Sequence, residues 1–131
     1  MKTNKVILII DDEFIILESL KMQLSLFLNE DNYIIECAST GNEAFSIINE
    51  YHTNKANIDL IITDYHLDDI TGLDIIKHLH DIFPNSEKFI LTGESEHKIK
   101  EVEHDIAIKG YITKPWDFEE LKNHVLSSLE N

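Results

Sequence analysis

Short apolar runs alternate along this chain with longer stretches in which apolar residues recur every three or four positions. The short runs are typical of buried parallel strands, which are apolar on both faces, and the longer stretches are typical of helices with one buried side. Five strand-helix units fit the length of the chain and predict a single parallel sheet. The predicted strands are residues 6–10, 33–38, 60–63, 89–91 and 108–113.

Capping residues mark where several of the helices begin. Thr40 followed by Glu43 is the pattern of a capping box, and Asp117 is a suitable N-cap with Glu120 three residues later. The stretch 95–105 differs, since it holds few large apolar residues. We expect a fourth helix there that buries little surface and is the least firmly docked.

Composition narrows the class of protein. The length of 131 residues fits one domain over residues 1–131, and the net charge of −14 argues against binding nucleic acid or an anionic membrane. No apolar stretch approaches the roughly 20 residues of a membrane span, and the first residues lack the apolar core of a secretory signal. The lone Cys37 cannot form an internal disulfide. We therefore expect a cytoplasmic protein.

Reactive polar residues follow four of the predicted strands. Asp11, Asp12 and Glu13 follow the first strand. Asp64 follows the third strand, Thr92 the fourth and Lys114 the fifth. Open sheets of parallel strands bind ligands beyond the carboxyl ends of their strands, so these side chains should converge at one edge.

The segments that carry these residues resemble the receiver domain of two-component response regulators. The segments are, in order, IIDDE, IITDYHLDDITG, ILTGE and GYITKPW. The resemblance covers nearly the whole chain and implies a flavodoxin-like (βα)5 fold, with helices on both faces of a five-stranded parallel sheet.

The resemblance also implies a function in phosphorelay signalling. A sensor histidine kinase or a phosphotransfer protein would donate a phosphoryl group, and a protein-binding face would then change and engage an unidentified output protein or domain. Such a domain is an acceptor and a switch, and it assists only its own phosphorylation and dephosphorylation.

A divalent cation is expected at the acidic residues. Carboxylates this close together disfavour joint ionisation unless a cation is shared, and Mg²⁺ prefers oxygen ligands. By resemblance, Asp12 and Asp64 would bind Mg²⁺ directly, Asp11 through water, and His66 through its backbone carbonyl. The alternative is that Asp11 and Asp12 only cap the first helix. Glu13 is expected to face solvent or support the rim.

The resemblance identifies Asp64 as the residue that is phosphorylated. Lys114 would contact the phosphoryl group with its ammonium and Thr92 with its hydroxyl. Pro115 disfavours a helical conformation at Lys114, and this Lys-Pro bond is commonly cis in the family. Without the resemblance, Thr92 would be interpreted as a turn residue at the end of a strand and Lys114 as an exposed charged residue in a loop.

Three further residues have expected roles. Tyr111 occupies the position of an aromatic residue that moves inward when receiver domains are phosphorylated; otherwise it is an ordinary core aromatic. His66 and Glu94 flank the acceptor and the Thr, at positions that commonly tune hydrolysis of the aspartyl phosphate. A histidine can change its charge near neutral pH, although both side chains could equally point into solvent.

The chain departs from the family pattern in one loop. Leu67 and Asp68 stand where family members often have Met-Pro.

A haloacid dehalogenase-like phosphatase also uses Asp, Thr, Lys and Mg²⁺, but it places Asp-x-Asp after its first strand and usually has a cap domain. A pseudo-receiver interaction module would lack the acceptor, the Lys or the acidic pair. A mononucleotide binder would need a Gly-rich loop after the first strand.

Overall fold

A computed structural model describes residues 4–93 and 108–129 of the chain. Within these residues, five parallel strands form one sheet in the order β2-β1-β3-β4-β5. The strands are β1 (Lys5–Ile10), β2 (Tyr33–Ala38), β3 (Leu60–Asp64), β4 (Glu87–Thr92) and β5 (Gly110–Thr113). The predicted parallel α/β sheet is confirmed, with β5 beginning two residues later than the apolar run suggested.

Four helices lie within the described ranges. They are α1 (Phe14–Phe27), α2 (Gly41–Thr53), α3 (Gly72–Ile82) and α4 (Phe118–Leu129). The weakly docked helix predicted for residues 95–105 lies outside the described residues. No helix among the described residues is long and apolar enough to cross a membrane.

The helices cover both faces of the sheet. Alternate residues of each central strand point to opposite faces. On one face, Ile7 and Ile9 pack in a cluster with the apolar sides of α1 and α4. On the other, Leu8 and Ile10 pack with α2 and α3. The strands are therefore buried from both sides, which explains their unbroken apolar sequence.

Helix ends follow the capping patterns, with one shift of partner. The Thr40 hydroxyl accepts the Glu43 N–H at 3.1 Å, as predicted, whereas the Glu43 carboxylate accepts the N–H of Ser39 and not of Thr40. Asp117 accepts the Glu120 N–H at 3.2 Å. Phe14 has the spacing of the buried leucines of α1, which predicts a buried side chain, but it is 73% exposed because it is the first residue of the helix, at the edge of the sheet.

The register of the strands positions the functional residues. Asp64 lies opposite Leu91 and Thr92 opposite Thr113, so the ends of β3, β4 and β5 are level. β1 lies between β2 and β3, and the direction in which strands are added reverses there. This reversal is the point at which open α/β sheets bind ligands.

Candidate functional site

A lysine ammonium joins two carboxylates at the carboxyl edge of the sheet. Lys114 Nζ lies 2.8 Å from Asp11 Oδ2 and 3.3 Å from Asp64 Oδ2. Asp11 is fully buried and Asp64 is 8% exposed, so the acceptor predicted from sequence is reached from solvent through a small opening. The structure thus brings together three of the predicted site residues, from the ends of β1, β3 and β5.

The site concentrates negative charge. Burial raises the pKa of Asp64, and the neighbouring Asp11 and Asp12 charges raise it further, while Lys114 opposes them. Burial by itself lowers the pKa of Lys114, but its contacts with Asp11 and Asp64 together outweigh burial and leave this pKa above its usual value. The lysine is therefore held as an ammonium, and the carboxylates remain short of positive charge.

The acidic residues fit a hard divalent cation. Asp11, Asp12 and Glu13 can each bring a carboxylate oxygen within 4.8 Å of the others. Asp11 Oδ2 is buried, and its contact with Lys114 is an ion pair without hydrogen-bond geometry, so this oxygen retains an available lone pair. Several carboxylate oxygens are the donor set that Mg²⁺ or a similar ion prefers.

This group shares two carboxylates, Asp11 and Asp12, with the predicted ligand set. Glu13 is exposed, as expected, yet its carboxylate can join the group with Asp11 and Asp12. Asp64 is not one of the three and instead contacts Lys114. The Asp11 side chain also accepts the Glu13 N–H at 2.9 Å, a bond within the turn that precedes α1. The N-cap of α1 is Glu13, without a side-chain cap hydrogen bond, so the alternative in which Asp11 and Asp12 cap this helix is not observed.

The remaining predicted residues are placed as follows. Thr92 is buried at the end of β4, and its carbonyl accepts the Lys114 N–H at 2.9 Å, which fixes the start of the Lys114 segment. Tyr111 is half-buried in β5 and packs on the α2–α3 side of the sheet. His66 is exposed just after β3, with its ring 4.7 Å from that of Tyr65. Glu94 lies outside the described residues.

Local geometry holds the Lys114 segment in place. The Lys114–Pro115 peptide bond is cis. Trp116, two residues beyond Lys114, donates its indole N–H to Gln23 of α1 at 2.7 Å. The segment is therefore tied to β4 on one side and to α1 on the other.

The loop that departs from the family pattern is ordered by other contacts. Gly72 allows α3 to begin close to β3, because a Cβ there would collide with the Asp64 carbonyl. Asp69 accepts the N–H of Gly41 at 2.9 Å and of Asn42 at 3.1 Å, across to the start of α2. Asp68 lies beside Asp12 and, after burial, is the main cause of the raised pKa of that carboxyl. The sequence analysis assigned Asp68 no role in the site. The signal for such a role was an acidic residue at a position where family members often have Pro.

Comparison with known proteins agrees with this geometry. The family model described as "Response regulator receiver domain" matches residues 7–126. The chain is 25% identical to Sporulation initiation phosphotransferase F of Bacillus subtilis over 93% of this chain and 91% of that protein. It is 30% identical to the Transcriptional regulatory protein CusR of Escherichia coli over 94% of this chain but only 50% of CusR. The chain therefore spans half the length of that relative.

Solved structures give the same result. A CheY-like response regulator receiver domain protein from Methanospirillum hungatei superposes with a TM-score of 0.81 at 26% identity, covering 98% of this chain and 95% of that one. A TM-score this high over nearly the whole of both chains means that they share one fold. The chain belongs to the receiver domain family of two-component response regulators.

Proposed function

We propose that this receiver domain accepts a phosphoryl group on Asp64. The observation that carries the proposal is the contact of Asp64 with Lys114 at 3.3 Å, at the solvent-accessible carboxyl edge of the sheet. A carboxylate oxygen of Asp64 would attack the phosphorus of a phosphohistidine, and the histidine nitrogen would leave. Protein groups contribute to such a transfer chiefly by positioning and by neutralising charge.

The neighbouring residues have distinct roles in this proposal. A divalent cation, Mg²⁺ above all, would be held by Asp11, Asp12, Asp64 and the backbone carbonyl of His66. When bound, it supplies neutralisation of the carboxylate and phosphoryl charges. Lys114 would contact one phosphoryl oxygen with its ammonium, and Thr92 would donate its hydroxyl to another once the phosphoryl group has arrived.

The phosphoryl group would then change a protein-binding face. Tyr111 is the proposed switch residue, because it lies in β5 beside Ile90 of β4 and so connects the Thr92 strand to the surface. His66 and Glu94 would tune the hydrolysis of the aspartyl phosphate. The partners would be a histidine kinase or phosphotransfer protein and an unidentified output protein or domain.

The wider setting is part of the same proposal. Receiver domains are signalling modules, and we infer that this one, as a single domain over residues 1–131, acts in the cytoplasm as an acceptor and switch without other enzymatic activity. It would bind neither nucleic acid nor membranes by itself, given its charge of −14. The family assignment gives no support to the phosphatase or pseudo-receiver alternatives.

Acetyl phosphate and intact-mass measurement test the acceptor. The Asp64 carboxylate displaces acetate from this donor, so the protein should gain the mass of one phosphoryl group only when Mg²⁺ is present. Beryllofluoride, a phosphoryl mimic, should bind under the same condition. The Asp64→Asn variant is the control, and a phosphoryl adduct that persists in it would overturn the assignment.

A further inference from the structure

The loop after β3 forms a fixed turn with two acidic residues at its tip. The Leu67 N–H donates to the Ile70 carbonyl at 3.2 Å, and the backbone of His66 bridges antiparallel to Thr71. Asp68 and Asp69 are the two residues enclosed by these contacts. The orientation of one tip residue therefore constrains the other.

Asp69 anchors the turn on another helix. Both of its carboxylate oxygens accept N–H groups at the first turn of α2, those of Gly41 and Asn42. The Gly41 hydrogen bond is the main cause of the lowered pKa of Asp69. A carboxylate at a helix N-terminus is favourable, so Asp69 is held in this position and not free to rotate into solvent.

The other tip residue, Asp68, faces the acidic end of β1. The loop reaches from the end of β3 to the start of α2, which follows β2, and β1 lies between β2 and β3, so the turn passes the end of β1 at Asp12. In this position the negative charge of Asp68, after burial, contributes to the raised pKa of Asp12. Lys114 already pairs with Asp11 and Asp64, and within the described residues neither Asp12 nor Asp68 takes part in an ion pair. Two facing carboxylates without a positive partner repel each other unless a cation or a proton is shared.

Resting on the function proposed above, we propose that Asp68 is a positioning residue for the divalent cation. Its carboxylate, held beside Asp12 by the Asp69 anchor, adds negative charge where the cation would bind and raises the affinity of this chain for Mg²⁺. Family members that have an uncharged proline at this place in the loop would lack this contribution. Asp68 is exposed, which leaves the approach from solvent open.

Calorimetric titration of the full chain with magnesium chloride, in the absence of any phosphoryl donor, tests this role. Removing one neighbouring negative charge from the surroundings of a divalent ion in a water-like medium should weaken binding about ten-fold, so we expect that loss in Asp68→Asn. Asp68→Glu retains the charge and should bind nearly as the wild type does. Asp31→Asn is the matched control, because Asp31 is an exposed carboxylate at the opposite edge of the sheet and should leave the affinity unchanged.

The outcomes separate this proposal from the proposed function. Wild-type affinity in Asp68→Asn would overturn the role of Asp68, while the acceptor site would stand if Asp12→Asn still abolished binding. Equal losses in Asp68→Asn and Asp31→Asn would also overturn it, since only the net charge would then matter. A wild-type chain that binds no Mg²⁺ would contradict both proposals. Far-ultraviolet circular dichroism checks folding, and Asp68→Ser replaces Asp68→Asn if the latter does not fold.

Discussion

Two lysines at opposite ends of neighbouring strands show how one sheet treats the same side chain in two ways. Lys114 follows β5 at the carboxyl edge, where it lies against Asp11 and Asp64. Lys88 lies near the amino end of β4, is 2% exposed, and donates to the Ser86 carbonyl at 2.7 Å. Lys114 therefore contacts two carboxylates. The ammonium of Lys88 instead contacts the backbone carbonyls of Pro84 and Ser86 and is influenced by the Glu87 charge without an ion pair to it.

The two environments shift the two pKa values in opposite directions. Burial lowers the pKa of Lys88, because carbonyl groups compensate the desolvation of an ammonium only in part. The carboxylates around Lys114 raise its pKa in spite of burial. At the amino end of the sheet, Lys88 orders a loop through its bond to a carbonyl. At the carboxyl end, Lys114 holds Asp11 and Asp64 together.

The largest stability effect is expected at the amino end. Lys88→Ala should lower the free energy of unfolding by about 2–4 kcal/mol, since it leaves a cavity and an unsatisfied buried carbonyl at Ser86. The loss should be the same with and without Mg²⁺, and labelling by acetyl phosphate should proceed in the variant under folding conditions. Urea unfolding in both buffers measures it, and a loss that Mg²⁺ recovers would contradict the separation of the two ends.

Lys114→Ala should have a smaller and conditional effect on stability. The variant leaves the buried Asp11 without its cationic partner, so we expect a loss of about 1–3 kcal/mol in a magnesium-free buffer. Mg²⁺ should recover much of that loss, because it supplies positive charge to the same carboxylates. Urea unfolding with and without Mg²⁺ gives the comparison with Lys88→Ala.

The same Lys114→Ala protein should lose the link between modification and switching. Without the ammonium that contacts the phosphoryl group, beryllofluoride should no longer produce the wild-type chemical-shift changes in β5 and α4. Nuclear magnetic resonance spectra recorded before and after addition measure this. Wild-type shift changes in the variant would remove Lys114 from the switch.

The contrast between the lysines also shows what the sequence could predict. Asp11, Asp64, Thr92 and Lys114 each end or follow an apolar run, and the parallel sheet brings such ends to one edge. That part of the site followed from the pattern of the strands. The contact of Lys114 with Asp11 was not predicted, because the five strand-helix units leave the order of the strands open and Lys114 was expected to contact the phosphoryl group.

Other contacts could not be predicted, because they depend on loop geometry. Lys88 precedes the apolar run in β4, where a charged residue normally indicates solvent, and only the folded loop shows the carbonyls that receive its ammonium. Asp69 bonds to a helix that begins 28 residues earlier in the chain. Asp68 then faces Asp12 as a consequence of that anchor. No spacing rule connects these positions.

Added Mg²⁺ should stabilise the fold moderately, and this stabilisation should depend on residues at the carboxyl edge of the sheet and not on those at the amino edge. At a concentration ten-fold above its dissociation constant, Mg²⁺ should stabilise the wild type by about 1.4 kcal/mol and raise the melting temperature. Asp12→Asn should show a much smaller rise, because it removes a proposed ligand, whereas Asp31→Asn at the other edge should behave as the wild type. Thermal melts with and without Mg²⁺ provide the test, and equal rises in all three proteins would remove Asp12 from the ligand set.

Alkaline pH should reveal the smallest effect, with opposite signs at the two lysines. The pKa of Lys88 is lower folded than unfolded, so its ammonium disfavours the fold below the folded pKa, and this penalty disappears as pH rises toward the unfolded value. The free energy of unfolding of the wild type, relative to Lys88→Met, should therefore increase with pH. The pKa of Lys114 is raised in the fold, so its stabilisation is present below the unfolded value and is lost as pH rises through the folded one.

Relative to Lys114→Met, the wild type should accordingly lose stability over the alkaline range. Each slope is bounded at about 1.4 kcal/mol per pH unit, the largest that one titrating group can give. Methionine is unbranched and apolar and cannot titrate, and taking differences from the wild type cancels the other lysines and tyrosines. Urea unfolding in magnesium-free buffers from neutral pH upward gives both differences. Slopes of the same sign would mean that the carboxylates around Lys114 do not outweigh its burial, and the contrast between the two ends of the sheet would then fail on electrostatic grounds.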